Sequence, residues 1–250
     1  MSVRLAVVDL NAQRDLAVAL PVGASLRRVA AILQEAWMVG PVRWNDTRRD
    51  ASVLQETAGR SFVLPSDDVF RLFHLLRERH IRYLLVGGVA LLKYLEGRNT
   101  KDVDLIISLD SLVAMPEIEV LDREEQFVHG RFRTVPLDLL LTVDPLFQSV
   151  QDHYATVHRF EEIDVPCATV EGLVALKLYA LPSLYRQMDL DRAALCENDV
   201  TMLLARYQPA LEPVLALLAQ HVSESDSREL KQIAAETAER AARLRARAGA

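Results

Sequence analysis

YLLVGGVALLKYLEGRNTKDVDLII, residues 83–107, opens with four apolar residues, Tyr83 to Val86, that read as a short buried strand running into the pair Gly87-Gly88. Val89 to Leu95 then reads as a short helix, Glu96 to Lys101 as a polar connection, and Val103 to Ile107 as a second buried strand with acids at its start. A glycine pair between strand and helix lets the backbone come close to a ligand, and the first N–H groups of the helix face phosphate favourably. Asp102 and Asp104 stand two residues apart, so the strand period turns both carboxylates to one face. Magnesium prefers a few carboxylates supplemented by substrate phosphate oxygens, and an acid pair beside a phosphate-binding turn would supply that set.

Outward from this stretch, Val135 to Leu141 is apolar except for Asp138. A lone carboxylate in such a strand costs several kcal/mol unless it meets a cation, an arginine partner or strong donors. Further strands are expected at Ile118 to Leu121, Gln126 to Arg133 and Pro136 to Thr142, with a turn at His129-Gly130. Upstream, Pro65-Ser66 begins a helix that Ser66 can cap and that carries the apolar stripe Val69, Phe70, Phe73, Leu75 and Leu76 to near His80. His74 and His80 have no further ligand-spaced partner and read as ordinary helix residues. Beyond Val170 the pattern is helical: Gly172 to Leu181, Asp191 to Tyr207, Leu211 to Val222 and Arg228 to Arg245, punctuated by Pro182, Pro209 and Pro213.

The ordered set of Gly-Gly, a short helix, Asp-x-Asp and a third Asp on a neighbouring strand resembles the nucleotidyltransferase superfamily that includes DNA polymerase beta. Gly87-Gly88-Val89-Ala90 and Arg98-Asn99-Thr100-Lys101-Asp102-Val103-Asp104-Leu105 are similar to the Gly-Gly-x-Ala and Arg-x-Thr-x-Asp-x-Asp-Leu of the bacterial minimal and toxin-type (abortive-infection-like) members. Val165 to Leu178, with Glu171 and Lys177, resembles the segment before their helical half; the resemblance covers roughly residues 67–206. It implies an α+β fold, a nucleotidyltransferase-type mixed sheet with flanking helices and a helical C-terminal part. It implies that Gly87 and Gly88 hold a nucleotide triphosphate while Asp102 and Asp104 ligate magnesium. Asp138 would bind a second ion or take the proton of the attacking hydroxyl. Arg98, Lys101 and Lys177 are the basic residues placed to meet the nucleotide, Lys177 by reaching the cleft instead of snorkelling or pairing with an acid. Lys93 is a weaker candidate, and Asp199 receives no role. The expected reaction moves a nucleoside monophosphate from an NTP to an acceptor hydroxyl, in line at the α-phosphorus with two ions. The acceptor stays open among tRNA, a protein side chain and a small molecule. A non-catalytic nucleotide- or partner-binding module is the alternative, and a metal-dependent hydrolase a more distant one, disfavoured because no histidine lies near the acids in sequence.

Residues 1–62 read as a small α+β unit: an alternating run Val3 to Val8, an apolar run Leu16 to Leu20, and a helix after Ser25 with Leu26, Val29, Ala30, Leu33 and Trp37 in register. Val42 to Trp44 and Ser61 to Leu64 would add strands, an order similar to a β-grasp module and suited to docking a protein partner. Residues 63–168 are then the nucleotidyltransferase core and 169–250 the helical C-terminal region. The net charge of −6 argues against bulk electrostatic coating of nucleic acid, though a local basic groove is compatible with it. Arg240, Arg243, Arg245 and Arg247 crowd the last turns and read as the solvated side of a helix. Two cysteines, Cys167 and Cys196, without CxxC spacing suggest neither a disulfide framework nor a zinc site. The absence of a long apolar run or a signal-like N-terminus makes a cytoplasmic location, away from any membrane, the expectation.

Overall fold

The computed structural model of the protein describes residues 65–95, 100–160 and 163–248. The small N-terminal unit expected over 1–62, the capping side chain of Ser66 and the candidate Arg98 lie outside the described residues.

Helix α1 (Pro65–Glu78) leads into β1 (Tyr83–Val86), the short α2 (Gly87–Leu91) and β2 (Val103–Ile107). There follow α3 (Leu109–Val113), β3 (Ile118–Arg123), β4 (Phe127–Phe132), β5 (Val135–Leu141), α4 (Pro145–His153), β6 (Ala155–Phe160) and β7 (Ile163–Ala168). Four helices close the chain: α5 (Val170–Arg186), α6 (Leu190–Tyr207), α7 (Leu211–Leu218) and α8 (Glu224–Ala248). The fold is α+β: one seven-stranded mixed sheet in the order β3-β4-β5-β2-β1-β7-β6, flanked by helices and followed by a helical C-terminal part. No helix among the described residues is long and apolar enough to cross a membrane.

The centre of the sheet follows from the apolar runs. Strands β1 and β2 pair antiparallel, β2 pairs parallel with β5, and β1 pairs parallel with β7. A strand covered on both faces needs side chains that tolerate burial on both. Val103, Leu105, Ile106 and Ile107 meet that need and are all buried. In β5 only Val135, Leu137, Leu139 and Leu141 are buried, which leaves the even positions, Asp138 among them, on the half-open face. The apolar cluster continues from the sheet into the C-terminal helices through Leu173, Val174 and Leu178 of α5, Val200 and Leu203 of α6, and Leu230 and Ala234 of α8.

Several local expectations change. The turn expected at His129-Gly130 is absent: β4 runs straight through both, and the chain reverses at Arg133-Thr134, where Arg133 adopts a left-handed φ of 55°. Gly130 serves close strand approach instead, since a Cβ there would stand 2.8 Å from the Glu119 carbonyl oxygen. Pro182 lies inside α5 and does not end it. Its lost hydrogen bond is outweighed because Leu178, Leu181 and Leu184 bury around it. Strands β6 and β7 and helices α3 and α4 were not foreseen. Helix α4 has a clear local cause, with Asp144 accepting from the Leu146 N–H at 2.8 Å and Pro145 at the first helical position. Both cysteines are buried, and neither forms a disulfide.

Candidate functional site

The register of the central strands assembles the acids. Asp104 on β2 lies directly opposite Asp138 on β5, and Val86, the residue before the glycine pair, opposite Asp104 on its other side. Neighbouring strands stand about 4.8 Å apart, so the turn and the two carboxylates share one end of the sheet. Asp102 immediately precedes β2 and shares the face of Asp104.

The glycine pair makes room for one acid and for the threonine that holds another. Gly87 has φ +60°, and a Cβ built on it would fall 1.9 Å from Asp104 Oδ2. A Cβ on Gly88 would fall 2.3 Å from the hydroxyl oxygen of Thr100. The Gly88 N–H donates to Asp104 Oδ2 at 3.1 Å, so in this state the turn's amide orients a carboxylate and is not free for a phosphate.

Each acid meets a hydrogen-bonding partner of the chain. The Thr100 hydroxyl donates to Asp102 Oδ1 at 3.1 Å, and Asp138 Oδ1 lies 2.7 Å from His129 Nδ1 across the β4–β5 ladder. Asp104 Oδ1 and Asp138 Oδ2 accept no hydrogen bond among the described residues, which leaves each carboxylate one oxygen to offer. As the side chains stand, no three His, Cys, Asp or Glu residues among those described converge closely enough to enclose a metal ion. The donor set itself, hard carboxylate oxygens crowded together, fits magnesium better than a soft or nitrogen-preferring ion.

The electrostatics state the same crowding. Burial, then the Asp102 and Asp138 charges, push the Asp104 carboxyl up to about 8, against the opposing pull of Lys177 and the Gly88 N–H. Burial and the Asp138 charge also raise Asp102, opposed by the Thr100 hydroxyl and by Arg192 at the start of α6. Like charges held side by side disfavour joint ionisation of Asp102 and Asp104, and a divalent cation would offset that repulsion.

Lys177 pairs with an acid, the alternative to reaching the cleft, and stands near the cluster as well. Its ammonium pairs with the buried Asp199 of α6 at 3.1 Å and is close enough to Asp104 to favour that group's charged form. Asp199 thereby acquires the role of holding Lys177 at the acid cluster. Lys101 is exposed beside Asp102. Lys93 lies away from the cluster, donating to the Arg159 carbonyl at 3.0 Å over the Phe160 ring. Asp138 meets His129 where an arginine partner was the alternative, and the premise that no histidine accompanies the acids is corrected: nine residues of sequence separate two side chains that cross-strand pairing brings together. Thr100, Arg192, Asp199 and His129 escaped sequence reasoning as site residues. Thr100 stands inside the quoted motif and Asp199 was noted without a role; Arg192 and His129 carried no signal there.

No family model matches the sequence, and no curated protein matches it. Among solved structures the chain is similar to an antigenic nucleotidyltransferase-like protein from Paracoccidioides brasiliensis, with 16% identity and a TM-score of 0.42 over 66% of this chain and 88% of that one. It is also similar to a protein from H. pylori described as a candidate nucleotidyltransferase, with 18% identity and a TM-score of 0.31 over 71% of this chain and 95% of that one. At these identities and scores, the reading of the site rests on its own geometry.

Proposed function

We propose that the protein is a magnesium-dependent nucleotidyltransferase. The observation that carries this reading is the direct register of Asp104 against Asp138 on parallel central strands, with Asp102 on the same face and a glycine turn cleared of side chains beside them. Asp102, Asp104 and Asp138 would hold magnesium, two ions in full occupancy, which supplies neutralising charge at the phosphate oxygens. Lys177 adds a fixed cation at the same cluster, and Lys101, with Arg98, would meet the triphosphate from the segment of sequence before β2. The acceptor hydroxyl oxygen bonds to the α-phosphorus as the bond to the bridging α–β oxygen breaks, and pyrophosphate leaves. Asp138, where it does not bind the second ion, takes the hydroxyl proton, with His129 keeping its carboxylate oriented. Catalysis of this kind is mostly positioning and charge stabilisation. The acceptor belongs to one of three classes: tRNA, a protein side chain or a small molecule.

The test is incubation with magnesium and each α-labelled nucleotide triphosphate, alone and with total cellular RNA or lysate protein, beside an Asp102→Ala/Asp104→Ala control. Label passing into RNA or protein only with the parent is the expected result and identifies the acceptor class. The hydrogen bonds that already occupy one oxygen of each acid favour a second reading, a nucleotide-binding module without turnover. Magnesium-dependent nucleotide binding without transfer in any mixture would establish that reading instead. Release of inorganic phosphate in place of pyrophosphate would assign hydrolysis.

A further inference from the structure

The four arginines near the C-terminus do not share one environment. Arg245 donates to the Leu204 carbonyl at 3.0 Å and caps the end of α6. Arg240, Arg243 and Arg247 recur at spacings of three and four, so they form one stripe along about 10 Å of α8. That stripe makes one wall of a groove of about 340 Å³ whose other wall is α6, with the polar side chains of Asn198 and Thr201.

The charge balance inside the groove is positive. Glu197, its acid, already pairs with Arg240 at 2.6 Å and accepts a hydrogen bond from the Tyr185 hydroxyl. Among the described residues Arg243 pairs only with Glu239 of its own helix, and both side chains are more than half exposed, so the pair is worth little and opens readily. Arg247 makes no ion pair or hydrogen bond among the described residues. Two guanidinium forks therefore face a concave site, Arg243 matched only by an exposed acid of its own helix and Arg247 by none among the described residues, in a chain of net charge −6. A guanidinium matches phosphate oxygens two at a time, and a concave wall concentrates the field of its charges.

We propose that the groove between α6 and α8 is an anion site, separate from the acid cluster, that binds a ligand presenting two or more phosphate groups in a row. Arg243 and Arg247 bind the phosphates and Arg240, fixed by Glu197, sets the wall. A free polyphosphate and the backbone of a nucleic-acid strand share this chemistry.

The experiment titrates the full chain with inorganic tripolyphosphate and with a labelled oligouridylate of roughly 12 nucleotides, a length spanning a typical single-strand site. Chelator is present throughout, so magnesium-dependent transfer plays no part and the outcome is independent of the proposed activity. Arg243→Gln/Arg247→Gln leaves the Arg240–Glu197 pair intact and is expected to weaken binding about tenfold or more. For the oligonucleotide it should also lower the slope of log affinity against log salt by about 1.4, roughly 0.7 for each phosphate that no longer meets a guanidinium. Asp102→Asn should bind like the parent. A strand source is indicated if the oligonucleotide binds and tripolyphosphate displaces it weakly, and a small polyphosphate source by the reverse. If the parent binds neither ligand, or the double variant binds both as the parent does, the site does not exist as proposed.

Discussion

Gly87 has no room for a side chain, and the reason is Asp104. Gly87→Ala would have to accept both a φ of +60° and an overlap with the carboxylate, so the acid must swing away from Asp138. A loss of about 1–2 kcal/mol of stability is expected from the backbone alone, together with loss of magnesium binding, both read from melting curves with and without the ion. Asp104→Asn should act oppositely on stability. In the metal-free chain the group's pKa rises from 3.8 to about 8, so between those values the folded state holds more proton than the unfolded one. Stability then falls as pH rises through that window. Asparagine removes the charge and keeps an acceptor for the Gly88 N–H. The metal-free variant should therefore melt higher than the parent at pH 8, by about 1–2 kcal/mol given partial screening by water. Near pH 3.5 the gain should vanish, and saturating magnesium should narrow it at pH 8. The glycine pair and the three acids were legible in sequence because each breaks a local pattern. His129 was not, because its meeting with Asp138 depends on the register of two strands, a property no single residue carries.

At the level of elements, α5 and α6 are joined by the Lys177–Asp199 pair, 3.1 Å apart with Asp199 almost fully buried. Removing one partner of such a pair costs more than the pair contributes, because the remaining charge keeps its desolvation penalty. Lys177→Met is expected to destabilise by about 3 kcal/mol, and Asp199→Asn by less, since an amide carries no charge to bury. A double-mutant cycle in denaturant should return a coupling energy above about 1 kcal/mol; additive effects would show that the pair does not join the helices. Elements with strong periodicity, such as α1, α6 and the run of β2, could be read ahead of the structure. The edge strand β6 could not: its alternation is carried by Ala155, Val157 and Arg159 on the open side, residue types that give no apolar-in, polar-out contrast. Gly130 misled for a related reason, because a glycine required by a neighbouring strand looks in sequence like one required by a turn.

For the whole molecule, the resemblance implied an α+β chain with a mixed sheet, but the pattern of elements did not give the order of its strands. Strand β2 takes as neighbours β1, which precedes it, and β5, which arrives only after the β3–β4 hairpin. Such placement is decided by which apolar faces can be covered together, a choice spread over the cluster that runs from Val69 to Ala241. The outer strands are different in kind, leaving Val120, Leu121 and Val157 exposed to solvent, with a bulge between Val120 and Asp122 in β3. In native-state hydrogen exchange, the amides of Leu105 to Ile107 should open only with global unfolding, while those of β3 should exchange through shallow local fraying. The acids are thus carried by the part of the chain that lets go last. On warming, the rim can breathe freely while the site keeps its shape, and the proposed metal binding should then disappear in a single step with the fold.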